Sequence, residues 1–263
     1  MSKSNIKLVA VDLDNTLLRE DFSISEYTKA VFEKIRERQI WIAFVTARGE
    51  ISSRRFTEQI RPDVFVAKSG AIARVGKDII YRAPMTAEDS AGLMDRFISE
   101  PGIEQIGLEN EVNYYSCSPF DPDWGNYEDY KHAIVTDFTK PYDVGDVYKI
   151  SVYAPDAEIP ARIAEGFPDV NFISYRDENW HTFRSKKAAK EIGLMAVAQE
   201  LGISLGSIVA FGDDTNDIGM LRAAGIGVAV SNALKEVKAA ADEICADNNS
   251  DGVARWIEEN LLR

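Results

Sequence analysis

Two aspartates separated by one residue follow the first apolar segment, in the stretch from Asp12 to Leu17 that reads DLDNTL. Two carboxylates at this spacing can both reach one small site when the backbone turns just after a strand. One can attack as a nucleophile while the other, at Asp14, moves a proton. Because close carboxylates repel each other, the pair also favours a bound divalent cation. The alternative is a turn rich in Asp and Asn without chemical function.

Two further groups suit a phosphate. Thr46 follows the second apolar segment, and its hydroxyl with nearby backbone N–H groups would suit a phosphate oxygen, although a plain helix cap is the better explanation of Thr46 taken alone. A lysine that opens a later helix would neutralise phosphate charge, and Lys186, Lys187 and Lys190 compete for that position. Lysines near a helix start are usually solvated, so these lysines indicate a phosphate site only in combination with the other polar groups.

A dense acidic segment, GDDTND, runs from Gly212 to Asp217 after another apolar run. Its three acids and one amide concentrate negative charge that needs a counter-ion. The simpler alternative is that Asp214 caps the helix that follows. Ligands of open α/β sheets bind outside the carboxyl ends of the strands, so all four groups are placed to share one site.

Hydrophobic patterning predicts the elements that position these groups. Strands buried on both faces, as in a parallel sheet, are predicted at 6–11, 40–45, 64–67, 208–211 and 226–230. Helices are predicted at 23–38, from about 50, and at 187–201, 214–224 and 252–261. Ser23 and Glu26 have the spacing of a capping box for the first helix. The alternation predicts right-handed parallel crossovers.

The middle of the chain predicts a different organisation. Helices are predicted at 86–99 and 157–165, and strands at 105–108, 112–116, 148–153, 171–174 and 181–183. The segment 116–129 contains prolines, a glycine and several acids, which predicts a loop. We therefore expect an α/β core formed by 1–83 and 187–263, with an α+β domain inserted at 84–186.

Composition narrows the class of partner. The formal net charge of −13 argues against nucleic acid and anionic membranes, but a local cation can still attract a small anion. Cys117 and Cys245 lie far apart, which favours free thiols in a reducing compartment. The chain has no signal-like core and no run near the roughly 20 apolar residues of a membrane helix. We expect a cytoplasmic protein with no obligate protein partner.

Together these residues resemble the haloacid-dehalogenase-like (HAD) superfamily, whose four short motifs occur here in the same order. The insertion after the second motif resembles the cap of the Cof-like branch, subfamily IIB. Asn15 stands where glycine is usual, and Ser69 begins the stretch where the family has Asn-Gly-Ala. Counting back from Leu201 selects Lys190 as the family lysine, although Glu191 replaces the usual glycine after it.

The resemblance implies a Rossmann-like HAD core with a parallel sheet plus an inserted cap, and a magnesium-dependent phosphatase that forms an aspartyl phosphate. Asp12 would be the nucleophile, and Asp14 would protonate the leaving alkoxide and then activate water. Mg²⁺ would be bound by Asp12, the backbone carbonyl of Asp14 and Asp213. Asp217 would support that site by contacting the ligands and not the metal itself.

The same resemblance assigns Thr46 and Lys190 to the transferring phosphoryl group, with Asn216 near it and Arg48 as a weaker phosphate contact. The cap would exclude water and select the leaving group. Its segment 113–132 is rich in aromatic and acidic side chains, which suit a sugar or polyol phosphate. Alanine substitutions at Asp121, Asp123 and Trp124 would test whether this segment recognises the substrate.

Three alternatives remain open at this point. A phosphomutase of the same superfamily would return the phosphoryl group to a sugar. A receiver domain also combines an acceptor Asp with Thr and Lys, but it lacks an insertion of this length. A catalytically silent ligand-binding module is disfavoured because Asp12 and Asp14 are both present.

Overall fold

The computed structural model describes residues 3–122, 127–174 and 179–263. It divides into two compact units. The first comprises Met1–Arg48, Arg55–Arg82 and Ala189–Arg263, and the second comprises Gly49–Arg54 and Ala83–Ala188. The assignment of these units as catalytic core and cap remains a prediction. Among the described residues, no helix is both long enough and apolar enough to cross a membrane.

The secondary structure alternates as the patterning indicates. The strands are β1 Leu8–Val11, β2 Trp41–Val45, β3 Val64–Ala67, β4 Ile72–Val75, β5 Asp78–Arg82, β6 Gln105–Glu109, β7 Tyr114–Ser116, β8 Ile134–Val135, β9 Lys149–Tyr153, β10 Val170–Ser174, β11 Trp180–Ser185, β12 Ile208–Gly212, β13 Ile226–Val230 and β14 Glu243–Cys245. The helices are α1 Glu26–Glu37, α2 Glu50–Ile60, α3 Ala87–Ser99, α4 Tyr127–Tyr130, α5 Glu158–Ala164, α6 Lys190–Glu200, α7 Ile218–Ala223, α8 Lys235–Ala240 and α9 Gly252–Leu261.

The first unit contains a sheet with the strand order β14-β13-β12-β1-β2-β3-β4-β5. The strands from β14 to β3 run parallel, and β3, β4 and β5 are antiparallel neighbours. Every residue of β1, β3, β12 and β13 is buried, which explains why these segments are apolar throughout. The predicted α/β class with a parallel sheet is confirmed.

The register of the central strands determines where the polar groups meet. Val11, the last residue of β1, lies opposite Phe211 of β12 and Phe44 of β2. The residues that follow these three strands therefore leave the sheet at the same edge. Asp12 and Thr46 both lie there, directly after the ends of β1 and β2.

The predicted capping box of the first helix is wrong. Ser25 is the cap, because its hydroxyl accepts a hydrogen bond from the backbone N–H of Thr28 at 3.0 Å. Ser23 belongs to the preceding turn, where its N–H donates to the carboxylate of Asp21. The helix therefore starts at Glu26, and the box spacing of Ser23 to Glu26 is coincidental.

The second unit contains a sheet with the order β10-β11-β9-β6-β7-β8, antiparallel except for the β7–β8 pair. Its apolar cluster combines sheet residues with α3, including Leu93, Phe97 and Phe183. At the predicted loop, the rings of Phe120 and Tyr130 pack against Tyr114, with centroids 5.8 and 5.0 Å away. These aromatic rings pack within the unit. Asp123 and Trp124 lie outside the described residues.

Candidate active site

The chain turns sharply as it leaves β1. Asp12 is followed by the turn Leu13–Leu17, which closes when the N–H of Leu18 donates to the carbonyl of Leu13. Asn15 has φ of 55°, a left-handed conformation that asparagine adopts more readily than most residues. The Asn232 side chain donates to the Asn15 carbonyl at 2.7 Å and holds this turn from a distant part of the chain.

Lys190 is buried at the first position of α6 and contacts two carboxylates. Its Nζ donates to Oδ1 of Asp12 and to Oδ1 of Asp217, each at 2.6 Å. Burial opposes its charged form, but these two negative charges raise the pKa of Lys190 above its ordinary value. Lys186 and Lys187 are exposed. Of the three competing lysines, Lys190 is therefore the one that the fold brings to Asp12.

Two glycines bring the start of α6 to this place. Gly70 has φ of +94°, and a Cβ there would lie 2.0 Å from the carbonyl oxygen of Ala189. A Cβ at Gly193 would lie 2.5 Å from a methyl group of Val66. Both positions require glycine, because any side chain would push the first turn of α6 away. Gly70 follows Ser69 in the stretch where the family has Asn-Gly-Ala, but the sequence did not indicate this packing role.

Asp217 organises the acidic segment and is itself fully buried. Its Oδ2 accepts hydrogen bonds from the backbone N–H groups of Asp213 and Asp214, both at 3.1 Å, while its Oδ1 contacts Lys190. Because both oxygens are engaged, Asp217 is suited to orient its neighbours. A Cβ at Gly212 would lie 2.5 Å from the Asp217 Cβ, so the close turn requires glycine there. Asp214 does cap the turn, as the simpler interpretation held.

Asp213 lies beside the turn that follows β1. Its Oδ1 accepts a hydrogen bond from the Thr16 hydroxyl at 2.8 Å. Burial, reinforced by the charge of Asp217, raises the pKa of Asp213 to about 7. Burial likewise raises the pKa of Asp12 well above its usual range, although the ammonium of Lys190 opposes this rise. Both shifts indicate carboxylates held in a poorly solvated place with too little positive charge.

A divalent cation fits this donor set. Carboxylate oxygens of Asp12, Asp213 and Asp217 lie within 4.8 Å of one another. Three carboxylates against the single ammonium of Lys190 leave an excess of two negative charges, which one divalent cation would neutralise. Oδ1 of Asn216 is also buried without a hydrogen-bond partner among the described residues. Hard oxygen donors of this kind are the ligands that Mg²⁺ prefers.

Thr46 is fully buried at the end of β2. Its backbone N–H donates a hydrogen bond to the carbonyl of Val66, and its carbonyl accepts one from the N–H of Ser69. Its Oγ1 accepts a hydrogen bond from the backbone N–H of Arg48 at 3.1 Å. The hydroxyl hydrogen remains available to donate to an anion.

Arg48 lies against Asp14. Its guanidinium donates to both carboxylate oxygens of Asp14, with the shortest distance 2.7 Å. Arg48 is 6% exposed, whereas the Asp14 side chain is 37% exposed. The residue predicted as a weak phosphate contact thus has a carboxylate as its neighbour. A spacing of 34 residues gave no sequence signal for this pair.

Comparison with known proteins agrees with this geometry. The family model for haloacid dehalogenase-like hydrolases matches residues 9–257. The chain belongs to this family. The hydrolase is 28% identical to the 5-amino-6-(5-phospho-D-ribitylamino)uracil phosphatase YitU of Bacillus subtilis, across 96% of each chain. It is 25% identical to YcsE of the same organism, which has the same enzyme name, over 98% of this chain and 97% of YcsE.

Solved structures show the same fold. A haloacid dehalogenase-like hydrolase from Bacteroides thetaiotaomicron superimposes with a TM-score of 0.84 at 24% identity, over 97% of this chain and 99% of that one. A protein described as a HAD subclass IIB sugar phosphatase gives a TM-score of 0.82 at 24% identity, over 96% and 98%. The predicted superfamily is confirmed, and this haloacid dehalogenase-like hydrolase is a phosphatase.

Proposed function

We propose that this phosphatase depends on magnesium and hydrolyses a small phosphate monoester through an aspartyl phosphate formed on Asp12. The observation that carries the proposal is the buried cluster in which Asp12 meets Lys190 and lies beside Asp213. A carboxylate at the end of the central strand, beside a fixed ammonium, is placed to attack an anionic phosphoryl group.

In the first step, the carboxylate of Asp12 attacks phosphorus and the bond from phosphorus to the ester oxygen breaks. Oδ1 of Asp12 is bound by Lys190, and Oδ2 accepts no hydrogen bond from the described residues, so Oδ2 is the attacking atom. Asp14 gives its proton to the leaving alkoxide. Lys190 and the Thr46 hydroxyl donate to phosphoryl oxygens, where negative charge spreads in the transition state.

In the second step, Asp14 takes a proton from water as that water attacks the phosphorus of the aspartyl phosphate. The Asp12–phosphorus bond breaks, which releases inorganic phosphate and restores the carboxylate. A proton thus leaves Asp14 in the first step and returns in the second.

Mg²⁺ would be held by the carboxylates of Asp12 and Asp213 and by the backbone carbonyl of Asp14. When bound, the ion would neutralise charge on the phosphoryl oxygens. Asp217 would not be a ligand, because its two oxygens bond to Lys190 and to the backbone of the GDDTND turn. Its role would be to hold Lys190 and Asp213 in position.

The proposed substrate class is a sugar or polyol phosphate. Three relatives carry the name of a phosphatase for a phosphoribitylamino compound, and a ribityl chain is a polyol. One protein of the same fold is described as a sugar phosphatase. The segment 113–132 is rich in aromatic and acidic residues, residue types that suit such a substrate, although the rings of Tyr114, Phe120 and Tyr130 pack within the second unit. We propose that the second unit makes this selection.

Trapping the intermediate tests the mechanism. The protein is mixed with a phosphate monoester and magnesium, quenched in acid, digested, and examined by mass spectrometry for one added phosphoryl group on the peptide that contains Asp12. We expect the adduct in wild type and, with 2,4-dinitrophenyl phosphate, whose leaving group needs no proton, more of it in Asp14→Asn, where dephosphorylation lacks its base. No adduct should form in Asp12→Asn. An adduct on another residue would refute the proposed nucleophile.

A screen of phosphorylated metabolites tests the substrate class. Release of free phosphate is measured for sugar, polyol, nucleotide and aryl phosphates, and isomeric sugar products are sought in parallel. We expect free phosphate without an isomeric product, whereas the isomer would identify a phosphomutase. Alanine substitutions at Asp121, Asp123 and Trp124 should lower the rate on the best metabolite and leave the aryl phosphate rate nearly unchanged. Equal losses on both would remove this loop from substrate selection.

A further inference from the structure

We infer that Arg48 is a positioning residue for Asp14: it fixes the direction of that carboxylate and thereby controls proton delivery to the leaving group. This inference rests on the proposed function of Asp14 as the acid and base. It differs from the role suggested by the sequence, in which Arg48 contacts phosphate directly.

The contact between the two side chains is a fork. Nε of Arg48 donates to Oδ2 of Asp14 at 2.8 Å and to Oδ1 at 3.1 Å, while Nη2 donates to Oδ1 at 2.7 Å. A planar guanidinium that bonds both oxygens of a carboxylate restricts its rotation as well as its position. A lysine ammonium supplies the charge without this planar geometry.

The guanidinium is itself held in place. Its centre lies 5.1 Å from the ring of Phe56 and 5.7 Å from the ring of Phe22, and the residue is 6% exposed. The Arg48 backbone is bonded at both ends, through its N–H to the Thr46 hydroxyl and through its carbonyl to the N–H of Lys68. Asp14 is the more exposed partner, so the buried arginine is the fixed element and the carboxylate is the part that it orients.

The direction in which the Arg48 guanidinium faces distinguishes positioning of Asp14 from direct phosphate binding. Nε and Nη2 form one edge of the guanidinium that can bind an oxyanion through two hydrogen bonds, and that edge faces Asp14. Nε has a single hydrogen, so a phosphate contact through Nε would require its bonds to Asp14 to break. The fork therefore points to an action of Arg48 through Asp14.

This role makes a prediction that depends on the leaving group. An alkyl phosphate releases a basic alkoxide that needs a proton, whereas 2,4-dinitrophenyl phosphate releases a stable anion that does not. Because positioned acid–base catalysis contributes roughly 10²- to 10⁴-fold, we expect Arg48→Gln to slow alkyl phosphate turnover by about 10- to 100-fold. Formation of the aspartyl phosphate from the dinitrophenyl ester should remain within about threefold of wild type, whereas its hydrolysis should slow, because that step also uses Asp14.

Pre-steady-state kinetics give the decisive measurement. With the dinitrophenyl ester, Arg48→Gln should show a burst of one equivalent of 2,4-dinitrophenolate per enzyme molecule, followed by slow turnover. KM for the alkyl ester and the inhibition constant of inorganic phosphate should stay near their wild-type values. Equal slowing of the first step for both esters, together with weaker phosphate inhibition, would show that Arg48 binds phosphate and would overturn the inference.

A double-mutant cycle tests whether Arg48 acts through Asp14. If it does, Arg48→Gln in the Asp14→Asn background should cost little on the alkyl ester, since the group it positions is already gone. Additive losses would overturn the inference. If Asp14→Asn alone fails to distinguish the two esters, the acid–base role in the proposed function fails as well, and that result is separate from failure of Arg48 alone.

Two further variants distinguish loss of the Arg48–Asp14 hydrogen bonds from a general effect of substitution. Arg48→Lys keeps the charge and most of the side-chain volume but loses the fork, so we expect it to resemble Arg48→Gln on the alkyl ester. Full rescue by lysine would show that charge suffices and would overturn the positioning role. Arg55→Gln is the matched control, because Arg55 also lies over the rings of Phe22 and Phe56, at 5.8 and 4.6 Å. It should leave the ratio of the two ester rates unchanged.

Discussion

Lys190 and Asp217 form an ion pair with an N–O distance of 2.6 Å in which both side chains are almost completely shielded from solvent. A pair in this environment is sensitive to the loss of either member, because the remaining charge has no solvent to stabilise it. The same lysine contacts Asp12, so the pair connects the carboxylate after β1 to the acidic turn after β12.

Replacing Lys190 should damage stability and activity together. Lys190→Met leaves Asp12 and Asp217 without their cation, and removal of one partner from a buried pair typically costs about 3–5 kcal/mol. We expect a fall in the free energy of unfolding toward that range, measured by urea denaturation, and turnover near background. The exposed Lys186→Met is the matched control. Equal stability of the two variants would show that the Lys190 pair is energetically unimportant.

Asp12→Asn should abolish turnover and leave the fold intact, because an amide cannot form the acyl phosphate. We expect a loss of at least roughly 1000-fold, which corresponds to about 4 kcal/mol of barrier. The rate is measured on purified protein whose circular dichroism and unfolding midpoint show a native structure. A rate near that of wild type would end the covalent mechanism on this residue.

Removal of magnesium should abolish activity and lower thermal stability. Binding to the folded state alone stabilises it by mass action, so the unfolding temperature of the wild type should rise as magnesium is added after exhaustive chelation. Asp213→Asn should lose most of this rise, whereas Asp242→Asn, outside the cluster, should retain it. Calcium should inhibit, because its larger and looser coordination shell misplaces the nucleophile. Full activity in chelator would contradict the metal requirement.

The chelated protein should lose stability as pH rises from about 4 to 7. Burial, reinforced by the charge of Asp217, raises the pKa of Asp213 in the folded state to about 7, above its ordinary value of 3.8. The folded state therefore binds more protons than the unfolded state in this window, and deprotonation favours unfolding. The slope is measured by denaturation at several pH values and should be shallower in Asp213→Asn. A slope of opposite sign that Asp213→Asn leaves unchanged would argue against this titration.

Gly212→Ala should disturb the acidic turn. The new methyl group would lie 2.5 Å from both Cβ and Cγ of Asp217, so either residue 212 or Asp217 must move. Overpacking of this kind costs about 1–3 kcal/mol. We also expect weaker stabilisation by magnesium, because Asp213 belongs to the same turn. Gly166→Ala, where the nearest atom is 3.5 Å away, is the control and should be close to neutral.

Much of this architecture could be predicted because it depends on local patterns. Continuous apolar runs identified the parallel strands, and a strand that ends in a polar residue, such as β1 before Asp12, identified the edge where a site forms. The β4–β5 hairpin escaped prediction because Arg74 and the charged turn after it interrupt the apolar pattern. β14 escaped because it has three residues and an exposed centre, Ile244.

The contacts within the site could not be predicted from single-sequence patterns. The pairs that matter join residues far apart in the chain, such as Arg48 with Asp14 and Lys190 with Asp12. Propensity and periodicity report on neighbours within a few residues, so they carry no information on such distances. The motif order could select Lys190 among three lysines, but only the fold reveals that the Lys190 ammonium also donates a hydrogen bond to Asp217.

The position of β1 at the centre of its sheet also has a consequence for the order of assembly during protein synthesis. One edge of β1 pairs with β2, which the ribosome produces soon afterwards, but the other edge pairs with β12, beginning at Ile208. A nascent chain therefore carries Asp12 long before it carries Lys190, Asp213 or the Asn232 side chain that holds the turn at Asn15. A partly synthesised phosphatase has the proposed nucleophile but no assembled site, so the proposed chemistry can begin only when the last parallel strands have joined the sheet.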